Sequence, residues 1–235
     1  MLDAIARNNK NSNMPNEMLA VIFFEETGFC NVQQAGKNGP AVGFGQIEVG
    51  NRDKFRFYKW LNDPDLILTD DFMAKLKQEK LDPPALKMKQ SIQEKVKTKM
   101  LGSKEYSVMM SCKYFEFLST VDGMKLEGLI GAQISSHTEY RTRFAEGYQL
   151  LRKALNLTGI TAGQLRDELI NALNHAKRRG AGESSSNKNN PIPKDHFKSF
   201  WNWMLPDDWL AGRPGVVAPG NTISANHPNG LPAVQ

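Results

Sequence analysis

The sequence predicts a mainly α-helical domain with one small loop or hairpin region after its first long helix. Three observations carry this. Apolar residues recur at helical spacing through several segments of the first three-quarters of the chain. Helix starts are marked by capping residues and by proline. A single stretch, from Cys30 to Gly50, breaks the periodicity with glycines.

The first predicted helix runs from about Pro15 to Glu26, with Asn13 as N-cap and Pro15 in the first turn, where a missing N–H costs little. Met18, Leu19, Val21, Ile22, Phe23 and Phe24 make it apolar all round, the pattern of a buried helix. Its polar end arrives at Glu25-Glu26, and Gly28 stops it. The run GKNGPAVGFGQIEVGN reads as a hairpin or extended loop whose glycines let a ligand approach the main chain. Helical periodicity returns in Lys54–Leu61, Asp70–Lys80 and Pro83–Met100, then in Tyr106–Thr120 and Leu126–Leu155. Within the last of these, Gly128 and Gly131 would permit close packing of helices. Thr161-Ala-Gly-Gln164 reads as a capping box opening a helix through Leu165, Leu169, Leu173 and Ala176. Arg178-Arg179 and Gly180 close it.

These elements divide the chain into a domain over residues 1–180, a linker over 181–195 and a tryptophan-rich extension over 196–235. The extension is too short to fold alone, and Trp201, Trp203 and Trp209 are expected to dock on the main domain or on a partner. In 235 residues, 40% are apolar and 23% charged, as in ordinary globular proteins, and the net charge of +5 suits polyanionic partners in general. Basic residues are spread along the chain, which argues against a nucleic-acid binder. The four histidines show no ligand spacing, so neither a metal nor another cofactor is expected. Cys30 and Cys112 could pair across a long loop or stay as small buried hydrophobes. No apolar run is long enough to span a bilayer, and the N-terminal residues lack the pattern of an ordinary secretory signal.

The chemistry points to Leu19–Gln46. A carboxylate closes an apolar helix, and a glycine-rich segment follows within one loop's reach. Glycosidic cleavage needs a carboxylic acid still protonated near neutral pH, and burial against apolar walls raises a carboxyl pKa by penalising the charged form. Ile22, Phe23, Phe24 and Phe29 are the candidate walls. Loop N–H groups and an amide side chain would hold the acetamido groups of an amino sugar. Two adjacent glutamates at a helix C-terminus oppose the helix dipole, so neither is placed for helix stability. Glu25 reads as a surface or supporting residue.

Glu26-Thr27-Gly28-Phe29 followed by Gly43-Phe44-Gly45-Gln46 resembles the first two motifs of the soluble lytic transglycosylase-like group in the lysozyme superfamily, a helix ending in Glu-Ser-x-Phe and then Gly-Leu-Met-Gln. The family's middle motif falls on Met109–Leu118, which keeps its apolar rhythm. Its third, Ala-Tyr-Asn-Ala-Gly, falls on Leu129–Ser136, where Gln133 stands in the tyrosine slot. The resemblance implies a lysozyme-like α+β domain, Glu26 as the catalytic acid, and a substrate groove lined by Gly43, Phe44, Gly45, Gln46 and Gln133. It implies cleavage between N-acetylmuramic acid and N-acetylglucosamine in peptidoglycan, as a lytic transglycosylase or as a muramidase in which Glu48 or Asp53 is the second carboxylate. The alternatives are a chitinase- or chitosanase-like glycosidase and a non-catalytic peptidoglycan-binding or assembly module. On the peptidoglycan reading the protein acts in the periplasm or on the cell wall, delivered by a dedicated secretion system or a phage. An antibacterial effector of this kind would have a cognate immunity protein able to plug the groove.

Overall fold

The computed structural model describes residues 1–34, 39–125, 138–176 and 205–217. It is mainly helical, with two small two-stranded sheets. In chain order the described elements are α1 (Leu2–Asn8), α2 (Asn16–Thr27), β1 (Ala41–Val42), β2 (Ile47–Glu48), α3 (Arg52–Leu61), α4 (Asp70–Lys75), α5 (Pro83–Gly102) and α6 (Lys104–Thr120). They continue with α7 (Thr138–Leu155), β3 (Ile160–Thr161), α8 (Ala162–Ala176), α9 (Asp207–Ala211) and β4 (Val216–Val217).

Helix α2 lies at the centre, and its residues from Met18 to Phe24 are almost wholly excluded from solvent. A helix that is apolar on every side must be surrounded. Here α1, α7 and α8 pack against it, and Phe44 of the β1–β2 loop stacks on Phe23. Side-chain capping starts the outer helices. Asn51, Thr69, Asp82 and Ser103 each accept a backbone N–H in the first turn of α3, α4, α5 and α6. Thr161 and Gln164 form the reciprocal capping box of α8, with bonds of 2.9 and 3.3 Å.

Three local expectations are corrected. Asn13 does not cap α2: Pro15 occupies that position, and the Asn13 amide donates to Asn11 Oδ1. Asn11 instead is buried, donating through Nδ2 to the Phe115 carbonyl and to Ser119 Oγ, and so ties the loop before α2 to α6. Helix α4 ends at Lys75 rather than Lys80. Residues 77–80 are all exposed, so no burial sustains a further turn, and i→i−3 bonds tighten the chain there. Helix α1 was not anticipated; it is short, and tertiary packing against α2 and α6 holds it in place. Residues 126–137, including Gly128 and Gly131, and the 181–195 linker lie outside the described residues.

Residues 205–217 pack on α8. Leu205 and Leu210 are fully buried, Arg166 pairs with Asp207 and donates to the Leu205 carbonyl, and β4 runs parallel to β3 with Ile160 opposite Val216. Trp209 is half-buried beneath the Arg213 guanidinium, while Trp201 and Trp203 fall outside the described residues. No helix among the described residues is long and apolar enough to cross a membrane.

The loop between α3 and α4 is pinned by one cation. Lys99 of α5 donates to Asp63 at 2.7 Å and to Asp65 at 2.8 Å, and Tyr106 OH of α6 donates to the same Asp63 oxygen at 2.7 Å. Burial works to raise the Asp63 carboxyl, but the hydrogen bonds from Lys99 and Tyr106 outweigh it and hold the group below its ordinary value. A carboxyl depressed in the folded state stabilises the fold above its unfolded pKa of about 4, and that stabilisation is lost as pH falls through the folded value. Asp63→Asn is therefore expected to lower stability by about 1–3 kcal/mol at neutral pH. In urea titrations across pH, this deficit should shrink towards zero in acid; a deficit independent of pH would count against an ionic origin.

Candidate active site

Glu26 is the penultimate residue of α2 and is half-buried, whereas Glu25 is 8% exposed. Of the two readings of Glu25, surface or supporting residue, its burial rules out the surface one. By helical spacing, Glu26 shares its face with Ile22 and Phe23, both of them buried.

The chain leaves α2 through a tight stop. Gly28 takes a left-handed conformation and donates to the Phe24 carbonyl at 2.7 Å, while the Phe29 amide reaches back to the Phe23 carbonyl at 3.4 Å. The Gly28 bond is the five-to-one bond of a left-handed helix stop, and apolar packing accompanies it as Phe24 against Phe29, with ring centroids 5.0 Å apart. Phe29 itself has φ of 61°, a region costly for a bulky side chain. Burial of its ring holds it there. The turn directly after Glu26 is thus rigidly set by packing.

Beside this turn stands the hairpin, with Ala41 opposite Glu48 and Val42 opposite Ile47. Gln33 adds an antiparallel bridge to Val42, joining the segment after α2 to the hairpin edge. Thr27 of α2 bonds the Phe23 carbonyl at 3.0 Å and reaches the Phe44 carbonyl at 3.5 Å. The ends of the two predicted motifs are therefore brought together.

The glycines of the second motif serve a different purpose from the one expected of them. A Cβ on Gly43 would lie 2.4 Å from Ser107 Oγ and 2.6 Å from Met100 Cε, and Gly43 also has φ of 79°. A Cβ on Gly45 would lie 2.8 Å from Ser111 Oγ. Their missing side chains let α6 approach the loop, rather than a ligand. The N–H groups turn inward as well: Gly43 donates to the Val32 carbonyl, Phe44 to Ser107 Oγ and Gln46 to the Gly43 carbonyl. Phe44 is fully buried, so its side chain anchors the loop. These three amides offer no free row of donors to a sugar.

Gln46 is the loop residue that keeps a polar group outward. Its Nε2 donates to the Gly43 carbonyl at 2.8 Å and to the Val32 carbonyl at 3.2 Å, which settles which end of the amide is nitrogen. No donor among the described residues reaches its Oε1, leaving an acceptor on a partly exposed side chain held at φ of 45°. Glu48 is exposed and receives a long bond from Asn51 Nδ2 at 3.4 Å. Asp53 is exposed in the first turn of α3. Gln133 lies outside the described residues.

Sequence reasoning missed Ser107 and Ser111, the small buried residues that seat the loop, and Lys54 and Tyr114, which adjoin it. The serines recur four apart on α6, a legible signal of close packing; the Lys54–Tyr114 pairing had none, because it joins residues 60 apart. Cys30 and Cys112 are not joined to each other, and burial pushes the Cys112 thiol up to about 12, leaving it inert. Among the described residues no group of acidic, histidine or cysteine side chains is arranged to hold a metal ion.

Gly45→Ala is expected to cost about 1–3 kcal/mol through overpacking against Ser111, measured by chemical denaturation. Adding Ser111→Ala should recover part of that loss; strictly additive effects would show that the contact is not what excludes a side chain at Gly45. Comparison with known proteins finds no family model, no curated protein and no solved structure that matches this chain.

Proposed function

We propose that this chain is a peptidoglycan-degrading glycosidase that cleaves the bond between N-acetylmuramic acid and N-acetylglucosamine, with Glu26 as its acid. The observation that carries the reading is the junction of a half-buried carboxylate at the end of a fully apolar helix with a packed turn and a loop bearing an outward amide oxygen. The lysozyme-like fold belongs to the same proposal; the mainly helical architecture with a small hairpin after the acid-bearing helix is compatible with it.

The chemistry follows from the positions. Protonated Glu26 gives its proton to the departing glycosidic oxygen as the bond to C1 breaks, and positive charge develops on the sugar ring. Gln46 Oε1 accepts an N–H from an acetamido group and orients the sugar. In the transglycosylase course the Glu26 carboxylate then takes the proton of the muramyl 6-hydroxyl, which attacks C1 and closes a 1,6-anhydro ring. In the hydrolytic course water takes that place, positioned by a second carboxylate. Glu48 and Asp53 are the candidates for it, and their exposure leaves them freely hydrated. One carboxylate suffices for the anhydro course, so we favour it. Acting on such a polymer places the protein in the periplasm or at the cell wall, and an exported antibacterial role would require an immunity protein in the producing cell.

Digestion of purified peptidoglycan tests the reading. Wild type should release soluble products carrying 1,6-anhydro ends by mass spectrometry, and Glu26→Gln should lower the rate by about 10²–10⁴-fold, the usual contribution of a general acid. Reducing-end products, abolished by Glu48→Gln or Asp53→Asn, would shift the conclusion to hydrolysis. Retention on cell-wall material without turnover would replace it with the binding-module reading, and turnover of chitin oligomers alone would replace the substrate.

A further inference from the structure

The side of the hairpin that faces α3 holds a lysine in an unusual setting. Lys54, in the first turn of α3, is half-buried; its ammonium lies over the Tyr114 ring at 3.8 Å from the centroid and donates to the Tyr114 hydroxyl. Tyr114 is one helical turn along α6 from Ser111, the residue that seats Gly45, so this pair borders the candidate loop. Lys75, Lys97, Lys99 and Lys113 are also half-buried, and each has a carboxylate at 2.7–3.6 Å, whereas half-buried Lys89, like Lys54, has none among the described residues. Lys54 forms no ion pair among the described residues; a neutral phenol holds it instead. Its nearest acidic neighbours, Glu48 and Asp53, act on it only at longer range.

An ammonium has three N–H donors, and the phenol uses one. Burial lowers the Lys54 pKa, the mark of a cation deprived of part of its water, with Glu48 and Asp53 pulling the other way. Burial also pushes the Tyr114 phenol up to about 12, so it stays neutral and supplies no counter-charge. A partly dehydrated cation with unused donors is suited to a carboxylate ligand, because charge-assisted hydrogen bonds gain strength where water is scarce.

We infer that Lys54, held by Tyr114 beside the β1–β2 loop, is a specificity-determining subsite that recognises a carboxylate of the glycan substrate. The inference rests on the glycosidase reading for its substrate class. Two sources supply that chemistry in peptidoglycan: the free carboxylates of the peptides attached to muramic acid, and the lactyl carboxylate exposed when those peptides are removed. Chitin oligomers carry neither.

The test measures binding in full-length protein carrying Glu26→Gln, so that strands are not consumed. Three probes of equal sugar count are titrated by calorimetry: peptide-bearing glycan, amidase-stripped glycan and a chitin oligomer. Lys54→Met is expected to lower the affinity ratio of carboxylate-bearing to carboxylate-free strands about tenfold, as loss of one such contact would, and Lys54→Arg to restore most of it. The probe whose ratio falls identifies the carboxylate. Tyr114→Phe, which keeps the ring and drops the hydroxyl, should lower the ratio as well, and it tests the inference independently if Lys54→Met fails to fold. An unchanged ratio in the folded variants, with wild type still digesting peptidoglycan, overturns the subsite alone. Failure of every probe to bind, together with no digestion by wild type, overturns both this inference and the glycosidase reading.

Discussion

Seven consecutive residues of α2, Met18 to Phe24, turn apolar or small side chains to every side of one helix, so no orientation of α2 tolerates water. Burying this segment is the constraint on which the rest of the molecule depends. A buried phenylalanine replaced by alanine typically costs about 3–5 kcal/mol, and α2 carries two in succession. The structure meets the demand by surrounding α2 with α1, α7, α8 and the hairpin loop. Each neighbour contributes an apolar surface that has no other place to go.

The same burial shapes the site. A polar residue at the end of such a helix is drawn as far inward as the helix itself, which is why Glu25 is buried and Glu26 half-buried without either being in the middle of the core. The chain then has to leave a crowded region within a few residues. It does so through Gly28 and through Phe29, whose left-handed backbone is stabilised by its own buried ring. Packing therefore sets the backbone path that leads away from Glu26.

On the opposite side, α6 acts as a floor for the hairpin. Ser107 and Ser111 face Gly43 and Gly45, and Ser107 also accepts the Phe44 amide. Small residues on both partners permit backbone contact between a loop and a helix, and the inward-turned amides that result satisfy the loop without help from a ligand. What remains for a ligand is side-chain chemistry: the Gln46 oxygen, the exposed Glu48 and Asp53, and the half-buried Lys54. The loop is preorganised by the protein, and its ligand specificity is left to a few side-chain groups.

Much of the fold was legible in the sequence because its signals are local. Apolar periodicity located α2 and the later helices, and the Thr161–Gln164 capping box needs only adjacent residues to be recognised. The glycine-rich break likewise located the hairpin, and Glu26 stood out because a carboxylate closing an apolar helix is an anomaly visible in one dimension. The short α1, the true ends of α2 and α4, and the burial of Glu25 were not legible, since each depends on contacts with distant segments. The glycines were read as places where a ligand reaches the main chain, whereas what approaches them is α6, from some 60 residues further along the chain. The sequence by itself determined that a helix must be buried whole, with a carboxylate at its end. Only the tertiary structure decided which neighbours enclose that helix and which polar groups of the loop stay available, because those outcomes are set by packing between segments that local chemistry leaves unconnected.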